Sequence, residues 1–117
     1  MSTVLNYVSK RSTIKRKVLD IKSDIMKTIR QYCIEGYYIW YYGNFEMNPG
    51  DLVFWICVQS DGMKRRLETN STLRSELEEI LIRNNYPKSA RATVHIGVES
   101  QETVDRVSNG NWFYHCR

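Results

Sequence analysis

Two histidines and one glutamate are the residues of this sequence whose types and spacing could do chemistry together. His95 and Glu99 lie on one face of a predicted strand, and His115 lies on another predicted strand. Imidazole nitrogens and a carboxylate that meet across neighbouring strands can bind zinc or exchange protons with a substrate. A metal-dependent or acid-base enzyme with His95, Glu99 and His115 as catalytic residues is therefore one hypothesis, although no HExxH or comparable spacing accompanies them.

The motifs of other enzyme classes are missing from the sequence. It has no GxSxG elbow, no thiol-protease context around a cysteine and no GxxxxGK[ST] or GxGxxG phosphate loop. The three cysteines, Cys33, Cys57 and Cys116, lie far apart without a CxxC pair, which is typical of reduced thiols rather than of a zinc knuckle. These observations favour a protein without catalytic activity, cofactor or resident metal.

The basic charge of the chain is concentrated in one segment. Residues Lys10 to Arg30 hold eight of the 17 Lys and Arg residues, whereas the rest of the chain is slightly acidic. A basic helix could neutralise phosphates while Tyr38, Trp40 or Tyr42 of the nearby "YYIWYY" stretch stacks on bases. Binding of nucleic acid, RNA in particular, is therefore the first alternative function. The candidate residues for contact with phosphates are Lys15, Arg16, Lys17, Lys22 and Arg30.

The aromatic residues and the loop after them favour a protein partner. Tyr, Trp and Met are enriched where proteins bury surface against one another, and the segment Gly43 to Asp51 reads as a long loop carrying two of the candidates. The leading hypothesis is a non-catalytic protein-binding domain. Its candidate contact residues are Tyr38, Tyr42, Phe45, Met47, Asp105 and Trp112. Dimerisation through an exposed aromatic edge is left open.

The hydrophobic pattern predicts that this scaffold begins with a long helix. Apolar residues recur at three- and four-residue steps from Ser12 to Cys33, and Gly36 is placed to end the helix. Two strands, 37–42 and 52–58, follow as an antiparallel hairpin. The second strand is apolar throughout, which predicts a central position in the sheet.

A helical crossover and a third strand come next. A short helical turn, a break near Asn70 and a helix from about Thr72 to Arg83 lead to the alternating strand Ala92 to Val98, which predicts a parallel unit. Ser100 caps a short helix that stops at Asn109 and Gly110, and "NWFYHC" is predicted as a fourth strand. The order α-β-β-α(α)-β-α-β predicts one α+β domain over residues 1–117, with helices packed on a small mixed four-stranded sheet.

Composition agrees with an ordinary folded domain. Hydrophobic residues make up 42% of the chain and charged residues 26%, and the longest apolar stretch, Leu52 to Val58, is too short to span a bilayer. The N-terminal segment lacks an uninterrupted apolar region ahead of a cleavage site. We therefore expect a cytoplasmic protein that does not associate with membranes.

In size and fold class, a motif-poor α+β domain of this kind resembles the immunity proteins of bacterial toxin systems. The resemblance implies a domain that occludes the active site of a toxin. Inhibitors of nucleases are usually acidic, whereas this chain has a net charge of +4. Either the toxin is not a nucleic-acid enzyme, or contact is made by these acidic residues: Glu76, Glu78, Glu79, Glu99, Glu102 and Asp105.

Overall fold

A long helix, a hairpin, a helical crossover and a third strand follow one another along the chain. The computed structural model describes the backbone of residues 3–116 and the side chains of residues 13–116. The elements are α1 (Thr3–Arg30), β1 (Tyr38–Tyr42), β2 (Val53–Val58), α2 (Asp61–Glu68), α3 (Ser71–Arg83), a 3-10 helix (Lys88–Thr93), β3 (His95–Ser100), α4 (Gln101–Ser108) and α5 (Trp112–His115). In this part of the chain, no helix has the length and apolar character needed to cross a membrane.

The sheet is mixed, and β2 is its central strand. The strand order is β1-β2-β3, with β1 antiparallel to β2 and β3 parallel to β2. Trp55 of β2 is paired with Trp40 on one side and with Gly97 on the other. The predicted hairpin, the parallel unit and the central position of the apolar strand are therefore confirmed.

The core lies between one face of the sheet and a layer formed by α1 and α3. Helical periodicity directs the apolar side chains of each helix to one side, and strand alternation does the same for the sheet. The residues that meet there include Val18, Ile21, Ile25 and Ile29 of α1, Leu73, Leu77 and Ile80 of α3, and Ile39, Phe54, Ile56 and Val58 of the sheet. Burial of these side chains is the main stabilising contribution to the fold.

The predicted fourth strand is not present among the described residues, because "NWFYHC" forms the short helix α5 instead. Asn109 and Gly110 have positive φ values of 51° and 79°, which turn the chain sharply after α4. The side chain of Asn111 then accepts a hydrogen bond from the Tyr114 N–H and caps a helical turn. Local capping and turn chemistry therefore outweigh the strand propensity of the aromatic residues.

The boundaries of the first helix also differ from the prediction. α1 starts earlier than Ser12 and ends at Arg30 rather than at Cys33. The backbone N–H groups of Tyr32 and Cys33 both donate to the Ile29 carbonyl, which closes the helix with a turn before the glycine. The predicted break at Asn70 is confirmed, because the Asn70 side chain caps α3.

Candidate functional site

The face of the sheet opposite α1 and α3 carries a group of aromatic side chains. Successive residues of a strand point to opposite faces, so Tyr38, Trp40 and Tyr42 point away from the helix layer that covers Ile39. The strand register adds Trp55 and His95 to the same side. We call these five residues, Tyr38, Trp40, Tyr42, Trp55 and His95, the aromatic face.

The aromatic face is ordered by contacts between its own rings. The centroids of Trp40 and Tyr42 lie 5.3 Å apart, and those of Trp55 and His95 lie 5.2 Å apart with their planes at 66°. A Cβ atom at Gly97 would lie 2.6 Å from both the Trp55 and the His95 ring, so glycine lets these rings lie across β3. Tyr38 and Tyr42 remain 43% and 38% exposed. The face is therefore preformed, and it is accessible in part, because Trp40 and Trp55 are half-buried whereas Tyr38, Tyr42 and His95 are exposed.

Helix α5 packs over the β1 side of the aromatic face. The ring of Trp112 packs edge-on against Tyr38 at 5.9 Å, and its Nε1 donates to Oε1 of Gln101 at 2.8 Å. The hydroxyl of Tyr42 donates to the Cys116 carbonyl at 2.8 Å. Three of the predicted protein-binding residues, Tyr38, Tyr42 and Trp112, thus meet here.

A buried carboxylate holds α5 in place. Glu99 Oε2 lies 2.7 Å from His115 Nε2, and Oε1 accepts from Lys64 Nζ at 2.7 Å and from the Ser100 N–H at 2.9 Å. The other ring nitrogen of His115 lies 2.8 Å from Ser108 Oγ. Burial raises the pKa of Glu99, but its bonds to Lys64, Ser100 and His115 outweigh burial and leave the pKa below its ordinary value. Glu99 is therefore ionised at neutral pH.

Hydrogen bonds connect Ser108, His115 and Glu99 in the order of a hydrolase triad, but the N–H groups that follow Ser108 are already bonded. The backbone N–H groups of residues 109–111, which follow Ser108, donate to the carbonyl oxygens of Val104 and Ser108 itself. They are consequently not free to form an oxyanion hole, which acyl transfer requires. Within the described residues, the bonds of His115 to Glu99 and Ser108 anchor α5.

The predicted His/His/Glu cluster is brought together only in part. Glu99 and His115 are in contact, whereas His95 lies at the other end of β3 with its ring against Trp55. The described residues contain no group of three or more His, Cys, Asp or Glu side chains that could hold a metal ion.

Burial raises the pKa of Cys57 to about 12 and that of Cys116 to about 11, so both thiols are protonated and unreactive at neutral pH.

The remaining predicted protein-binding residues are dispersed. Phe45 is buried at 6% exposure against Tyr41, whereas Met47 is 79% exposed. Asp105 is exposed and accepts a hydrogen bond from Gln101 within α4. Of these three residues, Met47 is the one that offers an apolar side chain to a partner.

The predicted nucleic-acid contacts lie on the other side of the sheet. Lys15 Nζ sits 5.5 Å from the Tyr41 ring centroid and 3.2 Å from the Tyr41 hydroxyl, Lys22 Nζ lies 5.9 Å from the same ring, and Lys17 donates to the Asn85 carbonyl. Tyr41 points into the helix layer. Arg16 and Arg30 are exposed on the same helix.

Trp55, Lys64 and Ser108 were not identified by the sequence reasoning. Strand geometry places Trp55 on the face opposite Phe54 and Ile56, but this was only a partial signal, because the uniformly apolar strand did not show which face the helices cover. No comparable signal existed for Lys64 and Ser108, because their partners Glu99 and His115 are distant in sequence and meet only in the folded chain.

Comparison of the chain with models of protein families, with curated proteins and with solved structures gave no match.

Proposed function

We propose that this domain is a non-catalytic protein-binding module whose partner packs on the aromatic face. The observation that carries the proposal is the accessible group of aromatic rings on the side of the sheet that α1 and α3 leave uncovered. Tyrosine and tryptophan supply large contact areas at little cost in conformational entropy, and they dominate binding energies at protein interfaces. A rigid sheet presents them in a fixed arrangement.

The charges around the aromatic face favour a protein over a nucleic acid. Lys64 is paired with Glu99 at one end of the face, and the lysines of α1 lie beyond the sheet against Tyr41. A single strand that stacked on Tyr38, Trp40 or Tyr42 would therefore draw few phosphate contacts from these described lysines, and phosphate contacts provide most of the affinity. Binding of RNA through α1 is the second candidate function.

A finer proposal is an inhibitor of the immunity type, acting on a toxin in the cytoplasm. Three of the six acidic residues that could imitate nucleic acid are engaged within the protein: Glu99 is buried with Lys64 and His115, Glu76 accepts from Tyr32, and Glu102 accepts from the Asp61 N–H. The aromatic face is the better contact surface, and the target is then an enzyme that does not act on nucleic acid.

The first experiment is purification of the tagged protein from its own cells, with and without nuclease treatment. We expect a protein that copurifies in fixed proportion and withstands both nuclease and moderate salt. Copurifying RNA or DNA that is lost on nuclease treatment would contradict the proposal and support the basic helix as the binding surface.

Substitutions then test which surface of this chain binds the identified partner. Tyr42→Glu and His95→Glu each place a carboxylate on the aromatic face that binding would have to desolvate, and we expect at least about a hundredfold loss of affinity. Leu19→Glu is the matched control, because Leu19 is an exposed apolar residue of α1, on the far side of the sheet. Melting temperatures establish that each variant is folded. Unchanged affinity in both face variants would refute the assigned surface.

A further inference from the structure

A groove runs along the free edge of the sheet beside β3. It has a volume of about 630 Å³ and lies between β3 and α3, with the end of α2 and the segment before β3 closing it. Its lining is mostly aliphatic and includes Leu73, Leu77, Ile82, Val94, Ile96 and Val98. Ile82 is 49% exposed. Ile96 and Val98 are half-buried, so part of the apolar lining is exposed to solvent along this edge.

The backbone of β3 points hydrogen-bonding groups into the same opening. The His95 N–H donates to the Leu52 carbonyl, and in a parallel pair every second residue bonds to the neighbouring strand. The N–H and C=O groups of Ile96 and Val98 consequently point away from β2. An edge strand of this kind, without lysine or proline to protect it, is a template for pairing with another strand.

Two charged residues of α3 border the groove at different points along β3. Tyr32, just after α1, bonds to Glu76 in the first half of α3, and Tyr86, just after α3, bonds to the Pro49 carbonyl in the loop before β2. These contacts orient α3 antiparallel to β2 and β3. Arg74 therefore lies toward the Val98 end of the groove, and Glu78 lies nearer the Ile96 end.

We propose that a second copy of this chain occupies the groove, with the two β3 strands paired antiparallel about a two-fold axis at Gly97. In this register Ile96 of one copy faces Val98 of the other, and both present outward-pointing backbone groups. Gly97 faces its own symmetry mate in a pair without hydrogen bonds, the position at which the Cα atoms of the two strands come closest. The result is a continuous six-stranded sheet.

Four charged residues line the groove, Glu68, Arg74, Glu78 and Arg91, and the two that α3 contributes are complementary to themselves under the same symmetry. The two-fold axis brings Arg74 of one copy to Glu78 of the other, and the pair occurs twice. This self-complementarity favours a second copy over an unrelated extended segment, which would have to supply both charges. The dimer also places both aromatic faces on the same side of the sheet, although it does not depend on their proposed role.

Charge exchange tests the dimer on the full-length protein by analytical ultracentrifugation. We expect Arg74→Glu and Glu78→Arg each to weaken dimerisation at least about tenfold, because each places two repulsive pairs in the interface. The double variant R74E/E78R restores both pairs in reversed order and should recover most of the affinity. Arg66→Glu and Glu79→Arg are the matched controls, since neither residue lines the groove.

Backbone amide exchange supplies a second readout that does not depend on the substitutions. The Gly97 N–H is bonded to β2 in either state, whereas the Ile96 and Val98 N–H groups should become protected as the protein concentration rises through dimerisation. A protein that stays monomeric would overturn the proposal and leave a foreign segment as the occupant. A dimer that withstands both single charge reversals, or that leaves Ile96 and Val98 unprotected, would overturn it equally.

Discussion

Phe45 and Met47 lie two residues apart in the loop between β1 and β2, and the structure gives them opposite environments. Phe45 is 6% exposed and packs against Tyr41, whereas Met47 is 79% exposed. Their residue types and their position in the loop made both residues candidates for contact with a partner. At the residue scale, therefore, burial rather than residue type separates a core side chain from a surface side chain.

Truncation of these two residues should separate their roles. We expect Phe45→Ala to lower the free energy of unfolding by about 3–5 kcal/mol, because it removes buried aromatic contacts and leaves a cavity. Met47→Ala should change it by less than about 0.5 kcal/mol, as is usual for an exposed residue. Urea denaturation followed by tryptophan fluorescence measures both. Equal effects of the two substitutions would contradict the assignment of Phe45 to the core.

At the scale of the element, α5 shows how a helix of four residues is held on a sheet. It is too short to be stable by itself, so tertiary contacts must hold it in place. Those contacts are the hydrogen bonds of His115 to Glu99 and Ser108, of Trp112 to Gln101, and of Tyr42 to the backbone of α5's last turn. Most of them come from side chains of other elements.

Removal of the imidazole should release this anchor. We expect His115→Ala to lower the free energy of unfolding by about 1–3 kcal/mol, since it leaves one oxygen of the buried Glu99 without its hydrogen-bond donor. The exposed Tyr114 on the same helix provides the control, and Tyr114→Ala should have little effect. Denaturation by urea measures the stabilities. If the His115 variant keeps full stability but loses an enzymatic activity, the acid-base hypothesis regains support.

At the scale of the whole molecule, buried or bonded carboxylates join the turns where α2 and α4 begin. Glu35 accepts from the side chain and N–H of Ser60, and these bonds lower its pKa. Asp61 accepts from Ser100, Thr103 and Arg106, which hold its pKa well below the ordinary value. Both carboxylates are therefore charged across the neutral range, and each links segments that are distant in sequence.

These lowered pKa values predict acid-sensitive stability. A carboxyl group with a depressed pKa in the folded state binds fewer protons there than in the unfolded chain, so the free energy of unfolding rises with pH. The contribution of Asp61 is complete above its unfolded pKa of about 4 and disappears as the pH falls through its folded pKa.

Asp61→Asn isolates this contribution. We expect the variant to be less stable than the wild type near neutral pH, and the difference to shrink steadily below about pH 4. Melting temperatures measured across the acidic range test this, with the exposed Asp20→Asn as the matched control. A stability difference that is constant with pH would show that the Asp61 hydrogen bonds do not depend on its charge.

The sequence by itself determined most of the elements of this α+β domain. Short-range patterns predicted the long first helix, the hairpin, the break at Asn70, the cap at Ser100 and the stop at Asn109. Such patterns are readable in a sequence because apolar spacing and capping residues act over a few positions. The failure came at "NWFYHC", where aromatic composition indicated a strand and the Asn111 cap produced a helix.

The tertiary structure alone decided which residues meet. Helix α5 folds back over β1 and brings Trp112 close to Tyr38 and Tyr42. Glu99 contacts His115 and Lys64, which lie 16 and 35 residues away in the sequence. The tertiary structure also separated the basic helix from the aromatic face, because alternate residues of β1 point to opposite sides of the sheet. Local patterns give each residue its direction, but only strand pairing and helix packing determine what lies opposite.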